Sequence, residues 1–104
     1  IYFNNPGTVV SVAEEKPQAL HLYQNSPNPF NPSTTVSFSL DEDGPVTLAV
    51  YTLSGQRIAV LADDMFKSGQ YSVVWHPENI ASGVYFIRLT AESVTQTVKA
   101  LFMK

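Results

Sequence analysis

No cysteine occurs among the 104 residues, which removes disulfides, thiolate metal ligands and cysteine nucleophiles together. Absence of cysteine by itself says little about compartment. Charge is scarce too: Asp, Glu, Lys and Arg make up 14% of the chain, where a quarter is usual. A formal net charge of −3 and a pI near 5.1 leave no basic excess to hold nucleic acid. Glycine is limited to five scattered residues, so no phosphate-cradling loop can be written. No apolar run approaches the ~20 residues of a membrane-spanning helix, and no signal-peptide pattern opens the chain. Neither nucleic-acid binding nor membrane insertion is expected. A first residue of Ile rather than Met predicts a piece of a longer protein.

What is present is apolar residues at 44% and aromatic ones at 12%, enough for one domain with a modest core. The chain is organised around Gln24-Asn25-Ser26-Pro27-Asn28-Pro29-Phe30-Asn31-Pro32-Ser33. Each proline removes a donor and pushes its predecessor to extended geometry, so this stretch reads as a stiff crossover. Phe30, its one large apolar residue, is expected to plug the end of the core.

Around the crossover, alternation writes seven strands. They are residues 20–23, 34–40, 46–51, 57–62, 70–75, 84–90 and 94–103. Val36, Phe38 and Leu40 share one face, as do Val46, Leu48 and Val50, and again Tyr71, Val73 and Trp75. Gly55 supplies the positive φ of a tight turn, and Ile80 tucks inward from the loop before the sixth strand. The run 84–90 is apolar at nearly every position, which predicts a central strand covered on both faces. Asp63, Asp64, Lys67, Ser68 and Gly69 read as a polar connection. Short strands with turns at about ten-residue intervals give the fold class: all-β, an immunoglobulin-like Greek-key sandwich of about seven antiparallel strands. Ahead of it, residues 1–18 read as a linker or the tail of a preceding domain, with 19–104 forming the sandwich. The segment Ala13, Glu14, Glu15, Lys16, Pro17 and Gln18 has a linker's composition and is the candidate processing region.

Chemistry is thin. Asp41-x-Asp43-Gly44 has the start of a calcium loop, but Pro45 follows and no bidentate Glu stands at the required distance. A solvated turn is the better reading, with a composite site possible only if Asp63-Asp64 meets it at one end of the sandwich. His21 and His76, with no cysteine, give no zinc spacing. No Gly-x-Ser-x-Gly elbow is present, and no nucleophile, base and orienter set can be assembled. No catalytic residue, cofactor or metal is expected. Trp75, Tyr71, Tyr85 and Tyr51 could form a platform for a sugar, though a core plug is the usual place for such a Trp. Tyr85, opposite in parity to Val84 and Phe86, is expected to be the more exposed ring. Lys99 and Lys104 read as solubilising edge charges.

Four segments together resemble the C-terminal sorting domains of type IX secretion in Bacteroidetes-type bacteria. The first is the crossover motif Pro27-Asn28-Pro29-Phe30-Asn31-Pro32 with Thr34-Thr35-Val36-Ser37-Phe38 after it. The second is Val50-Tyr51-Thr52-Leu53-Ser54-Gly55-Gln56-Arg57-Ile58, similar to the family's Val-Tyr-Asp hairpin. The third is Ser82-Gly83-Val84-Tyr85-Phe86, and the fourth is Thr97-Val98-Lys99-Ala100-Leu101-Phe102-Met103-Lys104. The resemblance spans residues 20–104 in the family's order, with Thr52 where Asp or Asn is usual. The immunoglobulin-like domain of flagellar hook-capping proteins is related.

The resemblance implies an address and no active site. A cargo domain would precede the chain, the folded domain would pass through the periplasm, and the outer-membrane translocon would recognise it. A sortase would then cut upstream, leaving the cargo on the cell surface or in the medium. Gly83, Val84, Tyr85, Lys99 and Lys104 are the implied recognition residues, with the last strand offering its backbone by strand addition. The alternative is a carbohydrate-binding or structural accessory module of a secreted enzyme.

Overall fold

Residues 20–92 and 94–104 are described by the computed structural model. The strands are β1 Leu20–Leu22, β2 Thr34–Leu40, β3 Gly44–Thr52, β4 Arg57–Phe66, β5 Gly69–Trp75, β6 Gly83–Thr90 and β7 Thr95–Phe102. They pair antiparallel in two sheets, β1-β2-β5 and β4-β3-β6-β7. Constant-type immunoglobulin domains pair the fourth strand with the fifth; here β4 stays beside β3. The linker at residues 1–18, with its candidate processing region, lies outside the described residues.

The core follows from alternation. Val36, Phe38 and Leu40 of β2 face Val46, Leu48 and Val50 of β3, joined by Ile87 and Leu89 of β6, all buried. Each such side chain contributes ~1.5–3 kcal/mol on burial. Ile80 packs against this set as expected. Two aromatic groups close the ends of the sandwich. At one end Phe38 stacks on Tyr71 at 5.4 Å and meets Phe66 edge-on at 5.7 Å. At the other, Phe30 lies 5.3 Å from Trp75 and 5.2 Å from Phe102, and Trp75 meets Tyr85 at 5.9 Å. The first may be named the turn end, since the β2–β3, β4–β5 and β6–β7 turns gather there. The second is the crossover end, which also holds the β3–β4 turn and Lys104.

Two expectations are corrected here. β4 runs on through Asp63, Asp64 and Met65 to Phe66, where composition suggested a connection. As an edge strand it tolerates outward charge, and its two register shifts against β3 let Phe66 turn into the core. β6 is central in its sheet, but its outer face is open: Val84 and Phe86 are only half-buried and Arg88 is exposed.

Gly55 has φ +94° in the β3–β4 turn. Thr52 closes this turn twice: its N–H donates to the Gln56 carbonyl (2.8 Å), and its Oγ1 accepts the Gln56 N–H (3.1 Å). The threonine hydroxyl thus fills the acceptor role open to an Asp or Asn carboxyl or amide oxygen.

Candidate recognition site

The crossover folds onto the terminal strand. Its first part prolongs β1–β2 pairing: Ser26 exchanges both backbone bonds with Thr35, at 3.1 and 2.9 Å. Asn25 is 2% exposed, a polar burial that costs unless every group is paired. Its Nδ2 donates to Thr34 Oγ1 (3.0 Å) and the Pro27 carbonyl (3.2 Å), while Thr34 Oγ1 donates to the same carbonyl (2.8 Å). Gln24 Nε2 donates to Asn25 Oδ1 (2.6 Å). This fully bonded knot aims the following residues at β7.

Phe30 then pairs parallel to Phe102. Its N–H donates to the Leu101 carbonyl (3.0 Å), and its carbonyl accepts the Met103 N–H (3.1 Å). Asn28 Oδ1 accepts the Leu101 N–H (2.8 Å), and Gln24 Nε2 donates to the Lys99 carbonyl (2.8 Å). The outer edge of β7 from Lys99 to Met103 is therefore occupied by the chain itself. The sequence predicted a free last strand ready for strand addition; over this half it is closed. Gln96, nearer the start of β7, bonds the backbone of β1, accepting from Leu22 N–H (2.7 Å) and donating to the Leu20 carbonyl (3.2 Å).

The implied recognition residues scatter. Tyr85 points inward and is 8% exposed, which corrects the expectation of an exposed ring. Its hydroxyl donates to the Ala81 carbonyl (2.6 Å), the tyrosine corner of sandwich folds, which satisfies the phenol locally and frees the ring for the core. Tyr85→Phe is expected to cost about 1 kcal/mol. A fall of ~4–8 °C in thermal melting would show it, whereas Tyr51→Phe should melt as wild type. Lys99 and Lys104 are exposed, Gly83 and Val84 half-buried, and the Lys104 N–H donates to Ser82 Oγ (2.8 Å). In the crossover motif only Phe30 is buried; Pro27, Asn28, Pro29, Asn31 and Pro32 face solvent.

No sugar platform is assembled from the four candidate rings. Trp75, Tyr71 and Tyr85 turn into the sandwich, while Tyr51 lies on the outer face of the other sheet. The two carboxylate segments lie in neighbouring stretches of the chain near the turn end without converging: Asp64 stands opposite Val46 and Asp63 opposite Thr47, three and four residues beyond Asp43. Their oxygens serve the backbone and a hydroxyl instead: Asp43 Oδ1 accepts the Ser68 N–H (2.7 Å), Asp64 Oδ1 the Met65 N–H (2.8 Å), and Asp63 Oδ1 the Thr47 hydroxyl (3.3 Å). Among the described residues no three His, Asp or Glu side chains group to hold a metal. His21 is exposed and packs on Tyr23 at 4.3 Å, and His76 is exposed with Nδ1 3.9 Å from Glu78.

The residues that sequence reasoning passed over are Arg57, Phe86 and Arg88. Arg88 sets its guanidinium 4.3 Å from the centre of the Tyr51 ring. In the structure Phe86 and Arg88 alternate with buried Tyr85, Ile87 and Leu89, and the one sequence signal for that phase was the charge on Arg88.

No curated relative matches the chain. Residues 25–104 match the family described as Secretion system C-terminal sorting domain. That match begins at Asn25 of the buried polar knot and runs through the crossover, the Thr52 turn, the tyrosine corner and the occupied edge of β7. The chain therefore belongs to the family of C-terminal sorting domains of type IX secretion.

Proposed function

We propose that the outer-membrane translocon of type IX secretion recognises this domain as a folded surface, after it has passed through the periplasm with a cargo domain attached ahead of it. As a sorting domain it marks a secreted protein for the cell surface or medium. The supporting observation is the docking of the crossover on β7. Those backbone groups are already paired, so along this stretch recognition falls to side chains on the sheet face and the crossover end. Of the implied residues, Val84, Lys99 and Lys104 offer side chains to a partner; Tyr85 supports them from within. The candidate processing region at residues 13–18 is where a sortase would release the cargo.

The test is a fusion of the whole chain behind a periplasmic reporter, produced in a bacterium with type IX secretion. Reporter on the cell surface or in the medium is the expected result, and reporter held in the periplasm counts against the proposal. Amino-terminal sequencing of the released sorting domain, with the intact mass of the released reporter, locates the cut, expected within residues 13–18.

A further inference from the structure

The outer face of the β4-β3-β6-β7 sheet is graded along its length. Nearest the turn end, the cross-strand row is Asp63, Thr47, Thr90 and Thr95. Midway it is Val60, Ala49, Arg88 and Thr97. Nearest the crossover end it is Arg57, Tyr51, Phe86 and Lys99, one residue from each strand. Val84 and Leu101 pair just beyond. At ~4.8 Å per strand this last row crosses about 14 Å of surface.

The row has two half-exposed aromatic rings at its centre and an exposed cation at either end, with half-exposed Val84 and Leu101 alongside. Exposed Arg88 adds a third cation, its guanidinium laid over the Tyr51 ring and so positioned beside the apolar patch. None of these three cations has a carboxylate partner among the described residues. Within the face the backbone of β3 and β6 is committed to sheet ladders on both sides, so a partner laid flat on it meets side chains, and among the described residues the margin at β4 keeps an open edge.

Its charge runs against the composition. The chain carries a formal −3, yet among the described residues Asp41, Glu42, Asp43, Asp64 and Glu92 sit in or beside the turns of the opposite end, Asp63 stands two rows away, and Glu78 alone lies at the crossover end, in the loop before β6 beside His76. Among the described residues, three cations border the aromatic patch, and the three cross-strand rows carry one carboxylate, Asp63, in the row farthest from it.

We infer that this face docks a protein partner through an apolar surface rimmed by carboxylates, and that this partner is the receptor of the secretion machinery. The inference rests on the sorting role proposed above. Tyr, Phe and Arg at the centre with charge at the margin is the composition of protein interfaces. An anionic bilayer would be met by a dense polybasic cluster, which three cations spread over a net-acidic domain do not make.

Export of the reporter fused to the whole chain reads the inference. R57E/K99E puts like charge against the carboxylate rim and is expected to cut export on the order of tenfold or more, with circular dichroism and melting unchanged. R57K/K99R restores export, and K67E, a charge reversal at the turn end, exports as wild type. Wild-type export by R57E/K99E overturns the docking face and leaves the sorting role standing. A wild-type chain that strands its reporter in the periplasm overturns both. Flotation of the whole chain with phosphatidylcholine–phosphatidylglycerol vesicles covers the other occupant: binding that is lost in R57E/K99E assigns the face to lipid and overturns the protein partner, and no flotation supports it.

Discussion

Phe30→Ala is expected to lower stability by ~3–5 kcal/mol, the usual cost of emptying a buried phenylalanine site. In a domain of this size that is a loss on the order of 15–30 °C in melting temperature. The ring is 2% exposed, wedged between Trp75 and Phe102, and its backbone bonds β7 on both sides of Phe102, at Leu101 and Met103. Truncation leaves a void that neither neighbour can fill without giving up the crossover's grip on the terminal strand. Phe30→Leu, which keeps most of the volume, should recover more than half of the loss. Phe86→Ala is the comparison that assigns the cause, because that ring is only half-buried on the open face. Its expected cost is about 1 kcal/mol or less. Equal melting of the Phe30→Ala and Phe86→Ala variants would contradict the plug.

Gln96→Leu is expected to cost about 2 kcal/mol or more, although leucine is close in size. The amide bridges the last strand to the first, 74 and 76 residues apart in sequence. Leucine strands the Leu22 N–H and the Leu20 carbonyl beside a buried surface, and each unpaired group costs ~1–3 kcal/mol. Denaturant midpoints measure the total, and hydrogen exchange at the Leu22 amide localises it. Gln96→Glu should fall between, since it keeps an acceptor for Leu22 and loses the donor to Leu20. A protected Leu22 amide in Gln96→Leu would show that pairing with β2 alone holds β1.

Most of the fold was legible because alternation in a half-buried strand is a direct record of which side faces the core. Val36, Phe38 and Leu40, or Tyr71, Val73 and Trp75, leave no choice of phase. β6 was harder: with apolar residues at both parities, period two has no phase to read, and a phenol hydroxyl tips the guess toward water. The Ala81 carbonyl four residues earlier reverses that guess. β4 misled in the opposite way, since Asp63-Asp64 has a turn's composition but stands on an edge where charge is harmless. At the site, the stiffness of the crossover was visible in its prolines. Its partner was not, because Asn28 meets Leu101 across 73 residues and nothing local in either segment names the other.

The direction of the strands has a consequence for attachment. Leu20 pairs with Leu40 at the turn end, whereas the Arg57–Lys99 row lies at the far end of strands that are about 25 Å long. Whatever is tethered upstream of Leu20 is thus joined to the domain on the side away from its aromatic, cationic face. The junction at Leu20 therefore does not itself cover that face, and the described domain offers one handle whose face and point of attachment are at opposite ends.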